Sequence, residues 1–212
     1  MITGSSRGIA LKLAGEGASV AVHYYQNEAA ANDTLSRLPA CGSDGFIVQA
    51  DVSQPRDVRH LFRTVAAEFG TLDIFVSSAR PEEPTFFYPT MEITLERWDM
   101  AVDSQARAFL VGAQQAARLM PDGGRILALT YAPGGRTGSL QPWAAKVAME
   151  SLVRYFAVAL AQRGITVNAI SPGWTEDSVL NSLPEAVQEL QRKWHGGASL
   201  MNAEAAPEIQ FG

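Results

Sequence analysis

The chain has few residues that could form a crosslink or hold a metal. Cys41 is the only cysteine, so no internal disulfide can form. The three histidines, His23, His60 and His195, are scattered and lack the spacing of metal ligands. We therefore expect no metal site, and we interpret His60 as a surface or packing residue.

Clusters of positive charge and long apolar runs are lacking as well. The net charge is −5, and no run of lysine or arginine offsets this acidic balance, so we expect no nucleic-acid partner. The longest uninterrupted apolar run, residues 155–161, is far shorter than the about 20 residues that cross a bilayer. The first residues also lack the pattern of a signal peptide. Together these features predict a cytoplasmic protein without a membrane partner.

The remaining composition is that of a globular protein. The 212 residues are 47% hydrophobic and 18% charged, enough for one sizeable core, and no part has low complexity. Short apolar segments alternate with helical patterns, which predicts an α/β fold with a parallel, doubly wound sheet, the Rossmann fold. We expect residues 1–212 to form a single domain.

Six strands are predicted, each followed by a turn and a helix. The predicted strands are the segment that ends at residue 3 and residues 18–23, 46–50, 72–77, 125–130 and 165–170. The predicted helices follow Gly8 and cover residues 28–38, 55–69, 94–119, 144–163 and 183–194. A stripe of apolar residues marks the core face of the third helix: Val58, Leu61, Phe62, Val65 and Phe69.

The first strand ends in a glycine turn. Gly4 and Gly8 permit a tight turn and a close approach of the backbone to a pyrophosphate. Free amides at the start of the following helix favour negative charge there. An ordinary β-to-α turn is the alternative, because two glycines alone are weak evidence.

No acidic residue stands at the carboxyl end of the second strand. Tyr24, Tyr25, Gln26 and Asn27 occupy the place where an acid would bind the ribose 2′-hydroxyl of NAD. Because that acid is missing and Arg7 lies in the glycine turn, the sequence favours NADP over NAD. The alternative is that the tyrosines are ordinary strand residues and Arg7 is solvated.

Polar residues also follow the third and fifth strands. Asp51 could position an adenine ring, or Asp51 or Ser53 could cap the next helix. Side chains just beyond a strand's carboxyl end face the ligand crevice, so Thr130, Tyr131 and Lys146 could converge on one substrate. This predicts an active site in residues 131–146 and the strand end before them.

These segments together resemble the short-chain dehydrogenase/reductase family along nearly the whole chain. Residues 3–9 resemble its cofactor turn, Asp51 and Val52 its adenine contact, and residues 168–175 its nicotinamide-side segment. Residues 144–163 and the turn before them are most similar to the enoyl-acyl-carrier-protein reductase III type. Residues 23–27 also resemble the corresponding loop of pteridine reductases.

The resemblance implies further cofactor-binding residues and an assembly. Beyond the residues named above for the cofactor, it adds Ser6, Ile9, Val52, Ser78, Ala79, Lys146, Pro172, Gly173, Trp174 and Thr175. It also implies dimers or tetramers that form through the two long helices. Extra apolar positions in those helices are consistent with this, although they could equally be buried within one chain.

The family's chemistry implies hydride delivery from NADPH to a carbonyl or an activated carbon–carbon double bond, including that of an acyl thioester. A tyrosine supplies a proton, and a lysine four residues later lowers its pKa and binds the ribose. Lys146 matches the lysine, but Pro142 stands four residues before it and Ser139 seven residues before it. Tyr131 is then the substitute proton donor, with Thr130 at the substrate oxygen.

Other positions depart from the family pattern. Gln105 takes the place of the catalytic asparagine, and Arg80 ends a segment that reads Asn-Asn-Ala-Gly in the family. The chain is a few residues short after Ile9, before Lys146 and after His195, and it lacks a counterpart of the family's last strand. The alternative function, which Pro142 and Arg80 favour, is a degenerate member that keeps the fold and serves as an oligomeric partner or a sensor.

Overall fold

The computed structural model describes residues 1–4, 6–80, 90–130 and 140–172. Strands and helices alternate along these residues. The strands are β1 (Ile2–Thr3), β2 (Val20–Tyr24), β3 (Gly45–Gln49), β4 (Ile74–Ser77), β5 (Arg125–Leu129) and β6 (Thr166–Ile170). The helices are α1 (Arg7–Gly15), α2 (Glu28–Arg37), α3 (Pro55–Phe69), α4 (Leu95–Val102), α5 (Ala108–Leu119) and α6 (Leu140–Leu160), and a π-helical segment (Asp103–Arg107) joins α4 to α5.

Within the described part of the chain, six strands form one parallel sheet in the order β3-β2-β1-β4-β5-β6. The short strand β1 pairs on both sides, with Ile2 opposite Val22 of β2 and opposite Val76 of β4. Strand order reverses between β1 and β4, so their carboxyl ends border the crevice where α/β proteins bind ligands. The predicted doubly wound sheet is confirmed.

Each face of the sheet has its own apolar core. The larger core includes Phe62 of α3 and Phe75 of β4, whose rings meet edge to face with centroids 5.3 Å apart. The smaller core joins α1 and α2 to the opposite face, where Val22 and Val76 lie. Successive residues of a strand point to opposite faces, so burial on both sides explains the nearly continuous apolar strands of the sequence.

The predicted core stripe of α3 is confirmed. Val58, Leu61, Phe62 and Val65 are buried, and Phe69 packs partly buried against the same core. His60, which lies between Val58 and Leu61 in the sequence, is exposed, in agreement with a surface residue.

Two strands begin two residues later than predicted, and local hydrogen bonds give the reason. β2 begins at Val20 rather than residue 18, because the amide of Ala18 donates to the carbonyl of Leu13 in α1. β4 begins at Ile74 rather than residue 72, because the amide of Leu72 donates to the carbonyl of Leu119 in α5. In both places the chain is still bound to a helix when the apolar run starts.

The prediction of one continuous α-helix over residues 94–119 was wrong. The π-helical segment interrupts it, and Ser104 and Gln105 account for this locally. The Ser104 hydroxyl donates to the carbonyl of Met100 at 2.7 Å, and the Gln105 amide nitrogen donates to the carbonyl of Ala101 at 3.2 Å. Such side chains compete with the backbone for carbonyls one turn back and disturb a regular α-helix.

The helix predicted over residues 144–163 begins earlier. α6 starts at Leu140, and Pro142 is its third residue. Proline is tolerated there because the first amides of a helix have no partner within the helix. The other end is close to the prediction, since a 3₁₀ turn, Ala161–Arg163, follows α6.

The contacts between Cα atoms divide the chain into two compact units, Met1–Ser171 and Pro172–Gly212. The second unit lies almost wholly outside the described residues, as do the helix predicted over 183–194 and the place of the family's last strand. The single-domain organisation and the missing strand therefore stay predictions. Along the described ranges, no helix is long and apolar enough to cross a bilayer, and no group of three or more acidic, histidine or cysteine side chains is placed to hold a metal ion.

Two glycines provide a matched test of core packing. A Cβ atom on Gly112 of α5 would lie 2.8 Å from the buried ring of Phe75, whereas one on Gly15 of α1 would meet nothing within 4 Å. We expect Gly112→Ala to lower the free energy of unfolding by about 1–3 kcal/mol, because the ring has no room to move. Gly15→Ala should raise it by about 0.5 kcal/mol through helix propensity. Urea unfolding of both variants measures this, and equal effects would contradict it.

Candidate functional site

The glycine turn after β1 is fixed against the end of β4. Gly4 has a φ of 87°, and a Cβ atom there would lie 2.7 Å from the backbone of Ser78 and Ala79. The Ser6 hydroxyl donates to the Ser78 hydroxyl at 2.6 Å, and the Ser78 amide donates to the Thr3 carbonyl at 3.1 Å. The structure thus brings four of the predicted cofactor residues together where strand order reverses. Glycine is required at position 4 by its backbone angle and by this close approach.

His23 holds the same turn from the other side. The amide of Gly4 donates to Nδ1 of His23 at 3.2 Å, and Nε2 of His23 lies 2.9 Å from the carbonyl oxygen of Ala50. Burial lowers the pKa of His23, against weaker opposing effects of the Ala50 carbonyl and Asp51. The part that His23 plays in holding the turn was not predicted from the sequence. The available signal was a polar residue in an apolar strand, which requires buried partners.

The first turn of α1 contains the next predicted residues, Arg7, Gly8 and Ile9. The opening amides of a helix have no intrahelical partner, so this end can bind an anion. Arg7 pairs with Asp33 of α2 at 3.1 Å, and both side chains are about half exposed. An ion pair this exposed contributes little, so Arg7 can exchange Asp33 for a phosphate group. Ile9 packs partly buried against the smaller core.

The loop after β2 is polar and free of carboxylates, as predicted. Tyr24 packs partly buried against the smaller core, and Tyr25 and Gln26 are exposed. Asn27 caps α2, with its side-chain oxygen accepting the Ala30 amide at 2.9 Å. The Asn27 amide group can still donate outward.

Asp51 closes a turn after β3. Its Oδ1 accepts the Ser53 amide at 2.9 Å, whereas the residue that caps α3 is Gln54, whose side chain makes no capping bond. The interpretation of Asp51 or Ser53 as the helix cap was therefore wrong, since the chain needs one more residue to enter the helix. Val52 packs partly buried against the larger core. A contact of Asp51 or Val52 with adenine stays a prediction.

Lys146 is a buried lysine of α6 whose ammonium group reaches the end of β5. It is 3% exposed, and its Nζ donates to the carbonyl of Leu129 at 2.6 Å. Burial, aided by the positive charge of Arg80, lowers the pKa of Lys146 to about 8, while Glu150 acts in the opposite direction. A lysine with this pKa can be charged or neutral close to physiological pH, which is typical of functional sites.

Thr130 is engaged by a neighbour of Lys146. Its hydroxyl donates to the carboxylate of Glu150, which lies one helical turn beyond Lys146 on α6. A hydroxyl has a single proton, so Thr130 cannot donate to a substrate oxygen while it donates to Glu150. The sequence signal for Glu150 was its position four residues after the lysine, on the same helix face.

Several predicted site residues lie outside the described residues. These are Tyr131, Gly173, Trp174 and Thr175. Pro172 is the last residue that the structure describes, and it is exposed.

Gln105 lies in the π-helical segment, against which α6 packs. It is 1% exposed, and its Oε1 has no hydrogen-bond partner among the described residues. A buried acceptor of this kind costs about 1–3 kcal/mol when it stays unsatisfied. π-Helical insertions are frequent at functional sites. The role of Gln105 in place of the family's catalytic asparagine stays a prediction.

Comparison with known proteins decides the family. A family model described as Enoyl-(Acyl carrier protein) reductase matches residues 3–210. A short-chain dehydrogenase from Burkholderia cenocepacia J2315, solved in complex with NADP, superposes with a TM-score of 0.85 and 29% identity, covering 96% of this chain and 84% of that chain. The chain belongs to the short-chain dehydrogenase/reductase family. The resemblance inferred from the sequence is thus confirmed at the level of the family.

Two relatives in the family are reductases of acyl thioesters by name. The 1-cyclohexenylcarbonyl-CoA reductase of Streptomyces collinus is 39% identical over 191 residues, which are 85% of this chain and 65% of that relative. The 3-oxoacyl-(acyl-carrier-protein) reductase FabG of Staphylococcus aureus is 32% identical over 197 residues, 89% of this chain and 79% of that relative. The chain therefore spans 65% of the length of the Streptomyces collinus relative.

The lowered pKa of Lys146 predicts a pH dependence of stability. Between about pH 8, its pKa in the folded protein, and 10.5, its ordinary value, the unfolded chain binds more protons than the folded one. The free energy of unfolding should therefore rise with pH in this window, by about 1.4 kcal/mol per unit from this group. Urea unfolding at pH 7–10 measures the slope, and Lys146→Met should remove that contribution. Parallel curves for the two proteins would contradict the prediction.

Proposed function

We propose that the protein is an NADP(H)-dependent oxidoreductase that reduces a carbonyl or an activated enoyl group by hydride transfer. The observation that carries the proposal is the glycine turn at Gly4, fixed against Ser78 where strand order reverses, with Arg7 at the adjoining start of α1. Its backbone leaves the amides of α1 available for a pyrophosphate. Arg7 and the loop after β2, which has no acid, favour a 2′-phosphate over a free 2′-hydroxyl, so NAD is the less suitable cofactor.

The described residues fit this dinucleotide. Gly4 and the first turn of α1 would hold the pyrophosphate, Ser78 and Ala79 would line the adjoining strand end, and Lys146 would bind a ribose hydroxyl. The bound cofactor supplies the hydride. The protein's own contribution is to fix these groups before binding, which reduces the ordering that binding requires.

Proton supply is the part assigned to residues 130–146. In this proposal the Tyr131 hydroxyl gives the proton to the developing oxygen anion, and Lys146 binds the ribose. The hydrogen bond from Thr130 to Glu150 gives Thr130 a supporting role, because it fixes the carboxylate beside Lys146. Gln105 adds a buried acceptor close to α6.

The substrate class is proposed from the relatives. Both named reductases act on acyl groups carried as thioesters, one on a cyclohexenylcarbonyl-CoA and the other on a 3-oxoacyl chain. We infer an acyl thioester or a related small carbonyl compound for this chain.

A homodimer or homotetramer is part of the same proposal. Several large apolar side chains on α4 and α6 are exposed in the single chain. They are Leu95, Trp98, Met100, Val147, Tyr155 and Val158, the last at 80% exposure. Covering such a surface in an assembly removes apolar area from water.

A second candidate function is a catalytically degenerate family member that binds the nucleotide and acts as an oligomeric partner or sensor. The specific observation in its favour is Pro142, four residues before Lys146, which has no proton to donate. The positive charge of Arg80, which lowers the pKa of Lys146, also departs from the family pattern.

Binding and turnover separate the two candidates. We expect NADPH to bind more tightly than NADH by tenfold or more, about 1.4 kcal/mol, because Arg7 pairs with the 2′-phosphate. Fluorescence titration with both cofactors measures this, followed by NADPH oxidation assays against carbonyl and enoyl thioesters. Arg7→Ala should remove most of the preference, while Arg56→Ala, an exposed arginine of α3, should not. Binding without turnover favours the sensor, and no binding contradicts both.

The proton donor has its own test. Tyr131→Phe removes only the hydroxyl, so turnover should fall by about tenfold or more with little change in NADPH affinity. Tyr155→Phe, at an exposed position on α6, is the matched control and should be unaffected. An unchanged rate in Tyr131→Phe would remove this residue from the mechanism.

A further inference from the structure

The imidazole of His23 contacts two segments that the proposed function assigns to the cofactor. It is 4% exposed and follows three buried apolar residues of β2. Nδ1 lies 3.2 Å from the amide nitrogen of Gly4, and Nε2 lies 2.9 Å from the carbonyl oxygen of Ala50. The ring therefore connects the glycine turn after β1 with the end of β3.

The chemistry of these partners determines the form of the ring. The Gly4 amide can only donate and the Ala50 carbonyl can only accept. Nδ1 must therefore be the acceptor, and the proton must lie on Nε2. A neutral His23 satisfies both groups, whereas a ring with protons on both nitrogens would direct N–H against N–H at Gly4.

The sheet explains why a side chain is needed here. β1 has only two residues, and its pairing with β2 is Ile2 opposite Val22. At Gly4, the residue after β1, the backbone has a positive φ, and the amide bonds to no β2 carbonyl among the described residues. The side chain of His23, one residue beyond Val22, accepts that amide instead.

Gly4 is consequently held on two sides. His23 accepts its amide on the β2 side, and the backbone of Ser78 and Ala79 lies so close on the β4 side that a Cβ atom would approach to 2.7 Å. The second hydrogen bond of His23, to the carbonyl of Ala50, connects the glycine turn to the residue that precedes Asp51. We propose that His23 is a positioning residue that fixes the glycine turn for the pyrophosphate of the bound dinucleotide by accepting the Gly4 amide. The Ala50 carbonyl holds the ring in the tautomer that makes Nδ1 an acceptor. This inference rests on the proposed cofactor binding.

The alternative is a purely structural histidine that satisfies buried polar groups. Both roles predict some loss of stability on substitution. Only the positioning role predicts that NADPH affinity depends on which of the two bonds a variant retains, and that turnover at saturating NADPH stays near its original value.

Two amide substitutions separate the bonds. The side-chain oxygen of asparagine can take the place of Nδ1, so His23→Asn retains an acceptor for Gly4 and loses the donor to Ala50. The longer glutamine can place its amide nitrogen near Nε2, so His23→Gln retains the donor to Ala50 and loses the acceptor for Gly4. His23→Leu loses both. His60→Asn, at an exposed histidine of α3, is the matched control.

The dissociation constant of NADPH is measured for the full chain by fluorescence titration, with circular dichroism to check the fold. We expect a change within about threefold for His23→Asn and His60→Asn, and a rise of about tenfold or more for His23→Gln and His23→Leu, as one lost hydrogen bond predicts. The rate at saturating NADPH should change less than the dissociation constant. If His23→Leu does not fold, the comparison of His23→Asn with His23→Gln decides.

Two outcomes would overturn the inference while the proposed function stands. One is NADPH binding by His23→Gln as tight as in the wild type. The other is an equal loss of NADPH affinity in His23→Asn and His23→Gln, because retaining the bond to Gly4 would then make no difference to binding. Failure of the wild-type protein to bind NADPH would overturn the proposed function itself, and this inference with it.

Discussion

The close approach of Gly4 to the end of β4 is the constraint on which the site depends. β1 and β4 are neighbours only because the strand order of the sheet reverses between them. The backbone of Ser78 and Ala79 leaves no space for a Cβ atom on Gly4. The positive φ of Gly4 turns the chain into α1, and the Ser6–Ser78 hydrogen bond joins the turn to the end of β4. The turn leads directly into α1, whose opening amides have no intrahelical partner and can bind an anion.

The charges near Lys146 form a second, coupled arrangement. Removing the ammonium group from water disfavours its charge, and the Leu129 carbonyl offsets part of that cost by accepting one of its hydrogen bonds. The charge of Arg80 lowers the pKa of Lys146 further, and the charge of Glu150 raises it. Because the Thr130 hydroxyl also binds Glu150, the end of β5 and the start of α6 share one hydrogen-bonded unit. A substitution of Arg80 or Glu150 will therefore alter the pKa of Lys146.

Much of the fold could be predicted because it depends on local patterns. Apolar runs marked the strands, and the stripe on α3 followed from helical periodicity alone. The π-helical segment could not be predicted, since it depends on whether Ser104 and Gln105 bond to carbonyls one turn back or point outward. The role of His23 depends on where β1 leaves the sheet relative to β2, which no spacing in the sequence reveals. The start of α6 at Leu140, four residues before the predicted one, was missed, because Pro142 stands in the first turn of the helix, where proline costs little.

Two unfavourable features lie where α6 packs against the π-helical segment. Lys146 is a buried cation with a strongly lowered pKa, and the Oε1 of Gln105 has no partner among the described residues. A sequence selected only for stability would replace both with apolar side chains, because a buried acceptor or charge without full compensation costs free energy. Sequences keep such local conflicts where function requires them. Their occurrence on two elements that pack together supports this region as the place of the chemistry independently of any match to a family motif.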